Sequence, residues 1–201
     1  GQYGHVRINI KPIYYTIAKE DLPKNTKREK GFEFINTIKG GAIPQEYIPA
    51  CEKGFKEGLD RGILAGFKMV NVSVDMWDGS YHEVDSNEMA FKIAASMAIQ
   101  DACKMARPVI LEPVMKVEVV VPEQFMGDIT GSLSGKRGSI EGMEDRGMNK
   151  AIRAMVPLSE MFGYTTELRS MTQGRGSMTM EFDHYDVVPP NVEKTIVESR
   201  K

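Results

Sequence analysis

The sequence predicts an α+β protein in two successive pieces, the second a four-stranded antiparallel sheet with two helices on one face. Three observations predict it. A helix-period segment, Glu88 to Ala106, passes across Arg107–Pro108 into a strand-period one, and Pro108 disfavours continuing a helix through it. Beyond that point the chain reads strand, helix, strand, strand, helix, strand. The length of 201 residues, 41% of them hydrophobic and 27% charged, suits one large or two small domains at about 100–200 residues each. That composition excludes a disordered chain and supplies a core. The expected division is therefore 1–106 and 107–201.

In the first piece, Val6, Ile8 and Ile10 alternate with Arg7 and Asn9, which predicts an opening strand. Ala18 to Lys30, with five basic and three acidic residues, reads as a solvated loop. A helix is expected after Pro49, because Ile48, Cys51, Phe55 and Leu59 fall on one face. Phe67 to Met76 alternates Met69, Asn71 and Ser73 against Val70, Val72 and Val74, predicting a second strand. Glu88 to Ala106 is an amphipathic helix with Met89, Ala90, Ile93, Ala94 and Met97 as its apolar stripe. Asp85 or Ser86 would cap it.

The second piece opens with a strand near 111–121, where Met115, Val117, Val119 and Val121 alternate with Lys116 and Glu118. A helix from about Pro122 follows, with Phe125, Ile129 and Leu133 on one face. Strands are expected near 138–146 and 148–156, then a helix over 158–171 with Leu158, Met161, Phe162, Thr165 and Leu168 as its stripe. The last strand covers 176–184, with Met178, Met180 and Phe182 on one side, and a short helix starts at Asn191. The order βαββαβ is the ferredoxin-like unit.

Charge excludes a global attraction to nucleic acid, since the net value is −2. The pieces carry 14 basic and 14 acidic residues, and 12 and 14, so charge does not tell them apart. No apolar run reaches the ~20 residues that span a bilayer, and no secretory pattern opens the chain. With only Cys51 and Cys103 there is no disulfide scaffold or thiolate metal site, and the expected location is cytoplasmic. The fourteen methionines read as adaptable core filler. His5, His82 and His184 have no companions at metal-ligand spacing, so no metal is expected. Gly131 to Arg137 imitates a phosphate loop but has three residues between its glycines and Arg137 in place of Ser or Thr. Gly174-Arg-Gly176 lacks a third glycine and precedes a strand, so it reads as a turn. No catalytic residue is assigned.

Two stretches stand out against this background. Gly40-Gly41-Ala42-Ile43-Pro44-Gln45-Glu46-Tyr47 has a permissive start and a stiff exit. Asp78-Gly79-Ser80-Tyr81-His82-Glu83-Val84-Asp85 reads as a turn that exposes an aromatic ring and an imidazole, groups able to stack on a base or bond a phosphate. On residues alone, connecting turns are the favoured reading of both.

Several longer blocks carry a resemblance. Gly1-Gln-Tyr-Gly-His-Val6, Gly31 to Asn36, Lys39 to Ala50, Gly79 to Ser86 and Met89 to Ala95 resemble domain IV of bacterial elongation factor G. Leu111 to Glu118, Val156 to Tyr164, Leu168-Arg-Ser170, Gly174 to Ser177 and Met180-Glu-Phe182 resemble its domain V. The resemblance implies an α/β sandwich with a left-handed crossover, followed by a ferredoxin-like domain. It also implies a ribosomal role. The family's domain IV reaches the decoding region, and its tip loops meet the codon–anticodon pair. Matched by motif, those loops are Gly40 to Gln45 and Gly79 to Asp85, with His82 at the tip.

For domain V, near the sarcin–ricin loop, the basic residues beside the matching motifs are Lys136, Arg137, Arg169 and Arg175. Expected partners are ribosomal RNA, the tRNA–mRNA duplex and the remaining domains of the parent factor, with no membrane. GTP and magnesium are expected only in a GTP-binding domain absent from this chain, whose first piece is expected to lack an N-terminal edge. Ile13 to Lys30 is longer than the family's usual connection. That leaves room for a paralogue acting in ribosome recycling or without GTP hydrolysis, or for a related ribosome-protection GTPase. A free-standing enzyme would need a convergent titratable cluster, and a stacking RNA-recognition module would need aromatic residues on its central strands, whereas those near 111–121 and 148–156 contain none.

Overall fold

The structure is a computed structural model and describes residues 1–201. The chain divides into two compact units, Gly1–Val109 with Lys194–Lys201, and Ile110–Glu193. Residues 194–201, which the sequence pattern places in the second piece, group with the first, where Arg200 lies over the Phe67 ring.

In the first unit, strands β1 (His5–Pro12), β2 (Thr26–Glu29), β3 (Phe32–Asn36) and β4 (Val72–Ser80) form one sheet in the order β1-β4-β3-β2. β3 and β4 are parallel, joined through helix α1 (Ile48–Arg61); the other pairs are antiparallel. Helix α2 (Glu88–Met105) completes the unit. Phe32, Phe34, Val72, Val74 and Met76 face Cys51, Phe55 and Leu59 of α1 and Phe91, Ala95, Ile99 and Cys103 of α2 in one core. The two helices approach closely because α1 carries glycines on its inner face. A Cβ at Gly54 would lie 2.2 Å from the Lys92 carbonyl oxygen, and one at Gly58 2.4 Å from the Ile99 side chain.

Close approach decides which face of α2 is buried. Small residues, Ala95 and Ser96, meet the α1 glycines, while Met89, Ile93 and Met97 of the expected stripe are exposed. The cap is Asn87, whose Oδ1 accepts the Ala90 N–H at 2.8 Å, instead of Asp85 or Ser86. Two further expectations fail here. Residues 26–29 of the expected loop form edge strand β2, because β3 offers them a partner. β4 starts only at Val72, since Asn71 has a left-handed φ of +62°, and it runs on to Ser80.

In the second unit, β5 (Leu111–Pro122), β6 (Ser139–Arg146), β7 (Asn149–Pro157) and β8 (Ser177–Val187) form an antiparallel sheet ordered β6-β7-β5-β8. Helices α3 (Met126–Gly135) and α4 (Tyr164–Met171) follow β5 and β7, which is the ferredoxin-like arrangement expected. The core joins Val117, Val119 and Val121 to Phe125, Ile129, Leu133, Ile152, Val156 and Leu168. The second helix is shorter than its pattern suggests. Leu158–Glu160 is a 3-10 turn, and Gly163 at φ +77° resets the helical phase. Tyr164 is therefore buried, while Phe162 and Thr165 of the expected stripe face solvent. β8 is an edge strand, so Met180 and Phe182 stay exposed even though they pair with Val117 and Met115. Helix α5 (Pro190–Ser199) ends the chain, with Arg200 over the Phe67 ring at 4.0 Å.

Candidate nucleic-acid interface

One end of the first sheet is built where β1 begins and β4 stops, with His5 paired to Ser80 and Val6 to Gly79. Gly79 and Ser80 are thus strand residues, and the free turn is 81–87. The other turn, 37–44, leaves β3. Gly40 and Gly41 have φ of +63° and +67° and open space around them, so this bend needs residues without a Cβ. Ile43 is only 1% exposed. It is an anchor in the core, not a surface contact as its place in the expected tip loop implied.

That anchor brings the two turns together. A Cβ on Gly79 would lie 2.5 Å from Ile43 Cδ1, so the 37–44 turn packs on the end of β4 from which the 81–87 turn leaves. Pro44 leads into a 3-10 turn, Gln45–Tyr47. The Tyr47 hydroxyl donates to the Ser86 carbonyl at 3.3 Å, and its ring stacks on Phe91 with centroids 5.1 Å apart. Gly40, Gly41, Gln45, Tyr81, His82 and Glu83 remain exposed, and Ala42 is half-buried.

The 81–86 turn is held from its base. The Ser86 hydroxyl donates to the Tyr3 carbonyl and accepts the His82 N–H, each at 2.8 Å. The Tyr3 N–H donates to the Asp85 carbonyl at 2.8 Å. His82 Nδ1 lies 3.2 Å from an Asp85 carboxylate oxygen, and the His82 side chain is 57% exposed. Sequence reasoning missed Tyr3, His5 and Ser86 as parts of this end. Tyr3 and His5 lie in the Gly1–Val6 block, and their pairing with Ser80 is visible only once β1 lies beside β4.

Ser80 Oγ lies 2.6 Å from the Tyr3 hydroxyl and 2.8 Å from His5 Nδ1. No carboxylate hydrogen-bonds His5, so this is not an activated nucleophile of the triad kind. The cysteines offer none either: Cys51 and Cys103 are buried, and burial pushes the Cys51 thiol up to about 12. Farther along the same two strands, Arg7 lies over the exposed Trp77 ring at 5.7 Å.

The four basic residues singled out in the second unit differ in their engagements. Arg137 is tied to Glu112 at 2.6 Å and Glu160 at 3.2 Å, and these carboxylates raise its already high pKa. Its guanidinium braces β5 against the turn after β7. Lys136 pairs with Glu167 at 3.0 Å. Arg175 lies over the Phe125 ring at 4.9 Å. Arg169 is exposed and makes no side-chain pair, which leaves it the most available of the four to an outside anion.

Comparison with known proteins agrees with the division of the chain. Residues 1–107 match the family model of elongation factor G, domain IV, and residues 109–196 match that of the elongation factor G C-terminus. A crystal structure of a Thermus thermophilus protein superposes with a TM-score of 0.81 at 38% sequence identity, covering 99% of this chain. The chain spans 28% of the length of that protein. No helix is long and apolar enough to cross a membrane. With both matches lying end to end on the two observed units, the chain belongs to the elongation factor G family of translation factors and carries its domain IV and its C-terminal domain.

Proposed function

We propose that this chain serves ribosomal translocation, its first unit acting as an arm whose two turns enter the decoding region behind the moving tRNA–mRNA duplex. The observation that supports this reading is the packing of the 37–44 turn, through Ile43, on Gly79 at the end of β4, with Tyr81, His82, Gly40 and Gly41 left facing solvent. A wedge of this kind works by occupancy and contact. The bent glycine backbone lets RNA come near the main chain, Tyr81 offers a face for stacking, and His82 offers a donor to phosphate or ribose oxygens. The net charge of −2 suits a domain that must release, because phosphate contacts dominate non-specific affinity and a strongly basic arm would adhere to any RNA.

Bond chemistry belongs, in this proposal, to a GTP- and magnesium-binding domain outside the two matched domains. Partners are ribosomal RNA and the tRNA–mRNA duplex, with Arg169 as a further contact from the second unit. The test is His82→Ala in the full-length factor. Single-round translocation should slow by about tenfold, the loss expected for one ~1.4 kcal/mol contact, while ribosome-stimulated GTP hydrolysis stays largely intact. Unchanged translocation kinetics would remove the tip from the mechanism.

A further inference from the structure

We infer that the segment from Lys11 to Lys30 forms a second RNA-binding surface, taking unpaired bases on Tyr14 and Tyr15 and phosphates on the surrounding lysines. It rests on the same reading of the chain as an RNA-contacting factor, but it lies elsewhere. β1 runs eight residues from the tip end at His5 to Pro12, so this segment departs roughly 23 Å from the turns described above.

Two neighbouring tyrosines are unusually free. Tyr14 is 63% and Tyr15 64% exposed, and the Tyr14 side chain makes no hydrogen bond or ring contact. Aromatic rings are costly to leave in water. Tyr15 is also pre-set. Arg28 lies over its ring at 5.2 Å and is itself held on three sides: Nε and Nη2 meet Glu33 Oε2 at 2.8 Å, and Nη1 donates to the Ile17 carbonyl at 2.7 Å. Glu33 is buried and accepts the Ser73 hydroxyl at 2.7 Å as well. This clamp fixes the 13–17 stretch to β2 and β3, so a base meeting the rings orders little that is not already ordered.

Charge complements the rings. Residues 11–30 hold six basic and three acidic residues in a chain whose net charge is −2. Lys27 pairs with Glu52, but Lys11, Lys19, Lys24 and Lys30 are exposed and in no ion pair. The acids of the segment are Glu20, Asp21 and Glu29, the last bonded to Lys56 at 2.8 Å. Aromatic faces interleaved with unpaired lysines suit single-stranded RNA, because every base has a face to stack and the backbone supplies the anions. An acidic protein surface would use the lysines and leave the rings idle.

The test uses the 201-residue chain and a fluorescein-labelled oligouridine of about 12 nucleotides, within the usual single-strand site size, followed by anisotropy across a salt series. Tyr14→Ala should weaken binding about tenfold, whereas Tyr14→Phe and, as an exposed aromatic elsewhere, Phe162→Ala should each bind like the parent. Lys11→Ala with Lys24→Ala should lower the slope of log affinity against log salt by about 1.4. The proposal is overturned by absent binding, by Tyr14→Ala binding like the parent, by displacement of the RNA by polyglutamate, or by an equal loss in Phe162→Ala. Because Tyr14 and the lysines are read here by oligonucleotide affinity and His82 above by translocation, each proposal can fail without the other.

Discussion

Gly79 shows how one residue controls the candidate interface. Its missing side chain lets two things occupy the same spot, the His5 carbonyl oxygen at 2.4 Å and Ile43 Cδ1 at 2.5 Å from a would-be Cβ. The first is backbone of a paired strand and cannot move without breaking the β1–β4 ladder. Gly79→Ala should therefore cost about 2 kcal/mol in urea unfolding, with the turn 37–44 pushed off the strand. Gly41→Asn should cost much less, because the space around Gly41 is open and Asn tolerates a left-handed backbone. Equal stability of Gly79→Ala and the parent would show that the turns are not packed as described. At this scale the sequence is only half legible. The glycines and exposed rings stand out by type, but Ile43 looks like a loop residue, and nothing local shows that the distant strand around Gly79 has room for it.

Helix α2 makes the same point one level up. Its sequence has two apolar stripes, Met89-Ile93-Met97 and Phe91-Ala95-Ile99-Cys103, and helical spacing accepts either. Packing chooses the second, because Gly54 and Gly58 leave room on α1 for the Lys92 carbonyl, Ala95 and Ile99 of that face. Phe91→Ala should lose about 3–5 kcal/mol. Met97, 61% exposed, should lose less than about 0.5 kcal/mol on replacement by Ala. Chemical denaturation of the two variants checks the assignment, and the reverse order would put the other face inside. β5 poses no such choice: one face of its alternation is apolar and the other carries the charges, so its buried side is readable in advance. The helix expected over 158–171 fails at its start, since Gly163 breaks the phase on which the expected stripe depends.

At the scale of the whole molecule, the two cores share no residue. Leu133→Ala, buried in the second, should lower that unit's unfolding free energy by about 2–5 kcal/mol and leave the first in place. Calorimetry should then resolve two heat-absorption peaks, and a single peak shifted as a unit would contradict independent cores. By itself, the sequence determined most of the elements, the ferredoxin-like order of the second unit and the family, because periodicity and motif blocks are local properties of the chain. Tertiary structure decided which face of α2 is inside, that 26–29 is a strand, that residues 194–201 group with the first unit, and that Gly40 and Tyr81 lie at one end. The reason is physical: each depends on what another part of the chain presents across the gap, and side-chain spacing along one segment carries no record of that.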